Sequence, residues 1–378
     1  MIKNFTGSPI IAEIDLAAFR HNMDAVKKLI NEKSRVIAVV KGDAYGHGAH
    51  VIAPEALKCG AEYLAVARLN EALDLRMGGI DAPLLLFGRS SPDYTEYYFK
   101  HDIIISTHSL EAAAGLSDEA VKLGRKLRVH VKIDTGMGRL GMVNGHEADT
   151  IKRINDLPGI RVEGVYSHFA NADASDKSDA ESQLHKFLEI KEKVIPCFTE
   201  APLFHIANSA AVMELPESHL DMVRPGIMLY GLYPSSEMDR ERTSLKPVMS
   251  LKSQISQIKK VPPRFPVSYG STYVTDRECT IATVSAGYAD GYSRLLSSRG
   301  EMLVNGRRAP VIGRVCMDLT MLDISHIPGA AEGDKVVLFG AEGEEFLGAD
   351  EIAEKTGTIS YEVVSGITSR VPRAYINR

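Results

Sequence analysis

From Val36 to Arg224 the chain repeats one pattern: a short apolar run, a polar residue at its carboxyl end, then a helical periodicity. The runs are Val36–Val40, Tyr63–Val66, Leu84–Phe87, Ile103–Ile105, Leu127–Ile133, Val162–Ser167, Leu203–Ile206 and Met222–Arg224. Helical patterns such as Leu69–Met77, Ser109–Leu123 and Asp179–Val194 separate most of them. Continuous apolar runs of this length are strands buried on both faces, as in parallel sheets. Eight of them alternating with helices predict a TIM-type (β/α)8 barrel closing near residue 230. A doubly wound open sheet is the alternative, because counting strands does not demonstrate closure. A ninth run, Ile10–Leu16, is followed by an amphipathic helix to about Asn31 and has no slot in such a barrel.

Composition narrows the class. A formal charge of −5, with 44% hydrophobic and 25% charged residues, describes an ordinary globular chain with no electrostatic reason to bind nucleic acid or an anionic membrane. No stretch approaches the roughly 20 apolar residues of a membrane span. Cys59, Cys197, Cys279 and Cys316 are scattered, without metal-ligand spacing, and free thiols imply a reducing, cytoplasmic setting.

The polar residues at the strand ends carry the chemistry. Lys41, Lys132, Asp134, His168, Asn208, Ser209 and Arg224 lie at or just past the ends of the predicted strands, where barrel enzymes place their catalytic groups. Lys41 follows Val36–Val40 directly and precedes a glycine-rich turn. Burial there lowers an ammonium pKa and makes a nucleophile or base, whereas the plainer reading is a lysine that ends a strand and reaches solvent. In His130–Asp134 the alternation puts His130, Lys132 and Asp134 on one face, either as a working site or as a lysine–carboxylate pair filling a barrel layer. Gly136–Gly141 matches the dinucleotide spacing G-x-G-x-x-G, with Glu163 downstream. It sits mid-chain, however, with the next helix starting after Asn144-Gly145, so the glycines more simply let a tight turn carry Arg139 over the barrel mouth. The loops Ala207–Ala210 and Arg224–Ile227, after the seventh and eighth strands, suit a phosphate; Ser209 as a helix N-cap is compatible with that.

From about Lys246 the texture changes. Val248–Lys259, Cys279–Ser285, Ala309–Ile312, Met321–Ile324 and Lys335–Phe339 read as strands, with turns such as Asn305-Gly306 between them, and predict a mostly β second domain. Ile352–Lys355 reads as helical, and the acidic run Ala341–Phe346 as a solvated loop. Two tyrosine-bearing, glycine-flanked motifs, Val267–Tyr273 and Ser285–Tyr292, have the form of turns that present a ring.

Taken in order, Val39–Gly48, Lys132–Arg139, Ser167–Asp173, Arg224–Ile227, Ser268–Gly270, Gly287–Gly291 and Cys316–Asp318 resemble the alanine racemase family over the whole chain. The resemblance implies a fold type III enzyme dependent on pyridoxal 5′-phosphate (PLP), with a barrel over 11–239 and a β domain over 240–378 joined by an N-terminal strand at 1–10. It further implies a head-to-tail homodimer that interconverts L- and D-alanine and supplies D-alanine for the cell wall. By the same carry-over, Lys41 binds PLP and Tyr45, Ser209, Gly226, Ile227 and Tyr361 hold its phosphate. Arg224 faces the pyridine nitrogen with His168 beside it, and Arg139 and the Met317 backbone receive the substrate carboxylate. Lys132 matches a position often carbamylated; Asp173, Tyr288, Arg294 and Ile359 match the substrate entryway. Leu319 departs mildly from the family, where glutamine is commoner. Lys41 and Tyr269, the latter from the partner subunit, would be two bases on opposite faces of the substrate. Three other readings compete: a PLP decarboxylase of basic amino acids, a PLP-binding barrel without clear catalysis, and a nicotinamide-dependent reductase built on Gly136–Gly141. Arg224 and the β domain count against the first two, and a racemase accepting serine is a broader variant of the main reading.

Overall fold

The computed structural model describes residues 7–143 and 145–378, and separates into two compact units. One comprises Arg20–Ala44 and Gly48–Leu245; the other comprises the segment up to Phe19, Tyr45–His47 and Lys246–Arg378. These divisions differ from the expected ones at 10/11 and 239/240, because the first strand and the start of its helix pack with the β unit.

That first strand, β1 (Ile11–Asp15), pairs with strands of the second unit. The barrel unit begins with β2 (Arg35–Val39), β3 (Tyr63–Val66), β4 (Leu84–Leu86) and β5 (Ile103–Thr107). It continues with β6 (Leu127–Lys132), β7 (Ile160–Tyr166), β8 (Leu203–His205) and β9 (Met222–Val223). They form one eight-stranded sheet in the order β8-β7-β6-β5-β4-β3-β2-β9, every ladder parallel. The two ends then meet: Asp221 N–H donates to the Phe204 carbonyl at 3.1 Å and Arg224 N–H to that of Ala207 at 3.0 Å. This closure selects the barrel over the open sheet. The strands are buried on both faces as their apolar runs require, with Ile37, Ala38, Leu64, Ala65, Leu84 and Ile104 fully inaccessible.

The second unit holds β10 (Met249–Val261), the pair β11 (Pro266–Val267) and β12 (Tyr273–Val274), β13 (Cys279–Val284) and β14 (Glu301–Val304). After them come β15 (Arg307–Pro310), β16 (Thr320–Asp323), β17 (Lys335–Glu342), β18 (Glu345–Leu347) and β19 (Arg373–Ile376). A nine-stranded sheet runs β15-β14-β17-β10-β1-β19, with β13 and β16 branching from β10 and β18 from β17. β1 lies antiparallel to β10 and parallel to β19, which gives the ninth run of the sequence its slot. Among the described residues the joining strand is Ile11–Asp15, which begins after the expected 1–10 segment. Residues 1–6 of the expected strand lie outside the described residues, and Pro9 has no N–H with which to extend the ladder. The acidic run at Ala341–Phe346 also departs from expectation. It is a hairpin, Glu342 opposite Glu345, because Gly343 takes a positive φ of 65° and closes the turn. Asn305 and Gly306, at φ 49° and 69°, make the predicted two-residue turn between β14 and β15. Among the described residues no helix is long and apolar enough to cross a membrane.

Candidate active site

Lys41 leaves the carboxyl end of β2 and enters a left-handed turn. Gly42, Asp43 and Ala44 have φ/ψ of 62/44°, 53/49° and 54/50°, and Tyr45 continues at φ 54°. The expected glycine-rich turn is thus made largely by residues that carry a Cβ, each at a cost of roughly 1–2 kcal/mol. Local bonds hold it: Ala44 N–H to the Val40 carbonyl, Gly48 N–H to the Asp43 carbonyl, and Ala49 N–H to Asp43 Oδ1 at 2.7 Å. Burial lowers the Lys41 pKa and nearby Arg139 lowers it further, while Glu71 opposes both.

β6 delivers His130 and Lys132, both inaccessible or nearly so. Burial, and then the charge of Arg224, pull Lys132 down to about 7. Its Nζ donates to the Ile133 carbonyl at 2.5 Å and lies 5.5 Å from the centre of the Tyr166 ring. Asp134 is not committed to an ion pair with Lys132. Its oxygens accept the N–H groups of Gly136, Met137 and Arg139 at 2.9, 2.7 and 3.0 Å, and so shape the loop that carries Arg139. Burial raises the Asp134 pKa, but these bonds outweigh it and the net shift is downward. Gly141 is required there, since a Cβ would lie 2.5 Å from the Asp134 amide nitrogen. Among the described residues the next helix opens only at Glu147, so Gly136–Gly141 is a tight loop without the helix that a dinucleotide site needs.

Arg224, 4% exposed, is the hub of the mouth. Its Nη1 donates to His205 Nδ1 at 2.7 Å; its Nη2 reaches the Ser167 and Ile206 carbonyls at 2.6 and 3.0 Å and His168 Nδ1 at 3.2 Å. A guanidinium only donates, so His205 carries its proton on Nε2, and that N–H donates to His130 Nδ1, 2.8 Å away. The His130 proton then sits on Nε2, facing Glu163 at 4.0 Å. Burial depresses the pKa of all three histidines, with Arg224 the next cause for His168 and His205, so they are neutral donors and acceptors. Tyr166 stacks on His205 at 5.0 Å and 4°, and lies under both Arg224 and Lys132. Sequence reasoning missed Tyr166 and His205. The available signal for His205 was a polar residue at the end of an otherwise apolar strand; Tyr166, in a strand that also holds Arg161 and Glu163, offered none.

Ser209 opens the short helix after β8, but Asn208 is its N-cap, accepting Ala211 N–H at 3.1 Å. The Ser209 hydroxyl instead accepts Gly226 N–H at 2.9 Å and Met228 N–H at 3.4 Å, joining the two loops expected to bind phosphate and setting Ile227 between them. Asp173 lies on the loop after β7, its carbonyl accepting from Ser235 Oγ at 3.1 Å. Lys177 steadies that loop by bonding the Ala172 and Ala174 carbonyls and Glu214. The result is a mouth lined by Lys41, Lys132, Arg139 and Arg224 around His168, a strongly cationic pocket suited to an anion.

The second unit gathers the rest. Tyr45 and Tyr361 face each other with ring centres 6.2 Å apart. Tyr269 projects on a 3-10 turn, 71% exposed, with Ser268 at φ 65° held by its Oγ bond to the Arg314 carbonyl at 2.7 Å. The same hydroxyl is 3.5 Å from Cys316 Sγ, which brings the turn beside Met317. Tyr288 and Ala289 donate N–H groups to the Cys316 and Met317 carbonyls, both at 3.0 Å. Gly287 allows that approach, because a Cβ would sit 2.3 Å from the Met317 oxygen. Met317, Tyr288 and Ile359 are exposed, and Arg294 opens a separate 3-10 turn.

Fold and strand-end chemistry together define a two-domain α/β-barrel enzyme. Residues 14–234 match the model of the alanine racemase N-terminal domain, and residues 248–375 that of the alanine racemase C-terminal domain. An alanine racemase of Desulfosudis oleivorans is 48% identical over 375 residues, covering 97% of this chain and 96% of its own. One of Methanococcus maripaludis is 44% identical, covering 98% and 99%. Among solved structures, alanine racemase of Clostridium difficile superposes with a TM-score of 0.92 at 41% identity, covering 97% of this chain and 96% of its own. That of Bacillus anthracis with bound L-Ala-P gives 0.91 at 39%, covering 98% and 96%. The chain belongs to the alanine racemase family.

Proposed function

We propose that this protein interconverts L- and D-alanine with PLP, as a cytoplasmic head-to-tail homodimer. The observation that carries the reading is the cationic barrel mouth, with a buried arginine at the end of the eighth strand. PLP carries a phosphate and an aldehyde that an amine captures, and its pyridine nitrogen accepts a hydrogen bond; the donor set fits all three. Lys41 would hold the aldehyde end. Ser209, Gly226 and Ile227, with Tyr45 and Tyr361, would hold the phosphate. Arg224 would donate to the pyridine nitrogen, with His168 beside it. Arg224 is lowered by burial to about 10, still far enough above neutral to stay charged. When bound, PLP supplies the electron sink that acidifies the substrate α-proton.

The chain's own residues do the rest. Arg139 and the Met317 backbone receive the substrate carboxylate, which fixes the α-carbon. Lys41 Nζ, whose pKa burial lowers so that more of it is the free amine, takes or returns the proton on one face. Tyr269 Oη of the partner subunit serves the other face; the exposure of Tyr269, Met317 and Leu319 on the β unit suits a surface covered by a second copy. Asp173, Tyr288, Arg294 and Ile359 border the entry. Lys132, with its amine lowered to about 7, is roughly half free amine near neutral pH. That nitrogen can add to carbon dioxide, losing one proton to give a carbamate whose negative charge would pair with Arg139. The free thiols suit a reducing compartment.

The test is to incubate the PLP-loaded protein with L-alanine and follow its optical activity. Decay to a racemic mixture is expected, with no racemisation and no borohydride-trappable cofactor in Lys41→Ala. Absence of D-alanine at saturating PLP, or carbon dioxide release from lysine or ornithine, would overturn the reading. Parallel assays with L-serine define the side-chain range.

A further inference from the structure

Glu71 has no part in the chemistry so far, yet one carboxylate reaches both loops that flank the lysine. It sits in the first turn of the helix after β3. Its Oε1 accepts Gly42 N–H at 2.6 Å, and its Oε2 accepts Ala67 N–H and Arg68 N–H, both at 2.9 Å. The bonds to Ala67 and Arg68 anchor it to the end of β3. The bond to Gly42 grips the first residue of the left-handed turn, adjacent to Lys41. That turn is the least favourable stretch of backbone in the barrel mouth: Asp43 and Ala44 hold φ near 54° with a Cβ in place. An ordinary right-handed or extended path would redirect the chain at Lys41 and with it the amine. A strained conformation persists only where its surroundings over-determine it. Of the other bonds of the turn, those from Gly48 and Ala49 close it on the segment that follows, and that from Ala44 closes it back on Val40 at the end of its own strand. Glu71 ties Gly42, at the start of the turn, to the end of the neighbouring strand β3.

We propose that Glu71 is a positioning residue, whose carboxylate clamps the left-handed turn to the end of β3 and thereby fixes the Lys41 amine for the cofactor. The inference rests on Lys41 being the PLP lysine. As second support, Glu71 is the carboxylate whose field opposes the loss of charge at Lys41, which places it close to the amine as well as to the turn.

Hydrogen exchange and PLP binding on the full chain test it together. In Glu71→Gln, amides of the peptide spanning residues 40–48 should exchange about tenfold faster or more, as expected for loss of a charge-assisted bond. Peptides of β5 to β7 should keep their protection. The PLP concentration for half-saturation, read by absorbance, should rise by a similar factor. Ala44→Gly relieves the left-handed strain without touching the clamp, so it should recover part of both losses in the Glu71→Gln background. A generally loosened fold would not be rescued this way. If Glu71→Gln does not fold, Glu71→Asp replaces it, since the shorter side chain cannot span both anchors; the same local rise in exchange is expected. Native exchange over residues 40–48 in the folded variant, or no recovery with Ala44→Gly, overturns the proposal. Failure of the wild-type protein to bind PLP would instead refute the cofactor reading and leave the exchange result to judge the clamp.

Discussion

Lys132→Met isolates the electrostatic tension in the barrel mouth. Methionine is an unbranched chain of similar length and keeps the packing against Tyr166, but carries no charge. Lys132 is lowered from 10.5 to about 7 in the folded protein, chiefly by burial and then by Arg224. Its folded pKa lies below the unfolded one, so the unfolded chain binds more protons between these values and native stability rises with pH across that window. Below pH 7 the penalty is fully present, and the shift of 10.5 to about 7 corresponds to about 5 kcal/mol. Between pH 6 and pH 9 the part relieved is roughly 2–3 kcal/mol. Denaturant unfolding of the cofactor-free full chain, in carbonate-free buffer, reads this directly. Lys132→Met should be the more stable protein at pH 6, and its advantage should shrink by that amount at pH 9. His168 and His205 contribute acid sensitivity to both proteins, so the difference between them reports Lys132. Bicarbonate adds a second arm: carbamate formation replaces the buried cation and should stabilise the wild type but not the variant. A stability difference that does not change with pH, or a variant less stable at pH 6, would refute the placement of an uncompensated amine among Arg224 and Arg139.

Further outcomes concern the chemistry. Tyr269→Ala should slow solvent deuterium exchange into L-alanine more than into D-alanine, as two bases on opposite faces require; equal losses would indicate one base. If Tyr269 acts on the partner's substrate, specific activity should also fall on dilution, and a fully active monomer would contradict that. If Arg224 faces the pyridine nitrogen as proposed, Arg224→Glu exchanges a donor that would keep that nitrogen unprotonated for a carboxylate that favours its protonation. The variant should convert a larger share of turnovers to pyruvate and pyridoxamine phosphate, at least several-fold by product analysis. A variant that folds, binds PLP and makes no extra pyruvate would show that Arg224 does not govern the ring's protonation.

Much of the barrel was legible because both faces of its strands are buried, so each strand is written as an uninterrupted apolar run. β3 and the helix Leu69–Met77 coincide with the sequence reading, and the other barrel strands shift by a residue or two at their ends. The β unit was less legible. β19 had no counterpart in the reading and β18 was taken for loop, because exposed and charged residues blur their apolar signature; β14, also without a counterpart, has a run of only three buried apolar residues after Glu301.

At the mouth, the identities of Lys41, Lys132, His168 and Arg224 and their places at strand ends were set by sequence, as was Arg139 on its glycine-rich turn, since a polar residue that ends a buried strand stands out chemically. Their mutual geometry was not. The line from Arg224 through His205 and His130 to Glu163 joins residues from β6, β7, β8 and the end of β9, which meet only because the sheet curls and closes. The left-handed turn after Lys41 was equally hidden, because Asp43, Ala44 and Tyr45 have no intrinsic preference for positive φ. Local propensity governs which segments become strands and helices. A conformation that propensity opposes exists only where contacts from elsewhere in the chain, such as the carboxylate of Glu71, hold it in place.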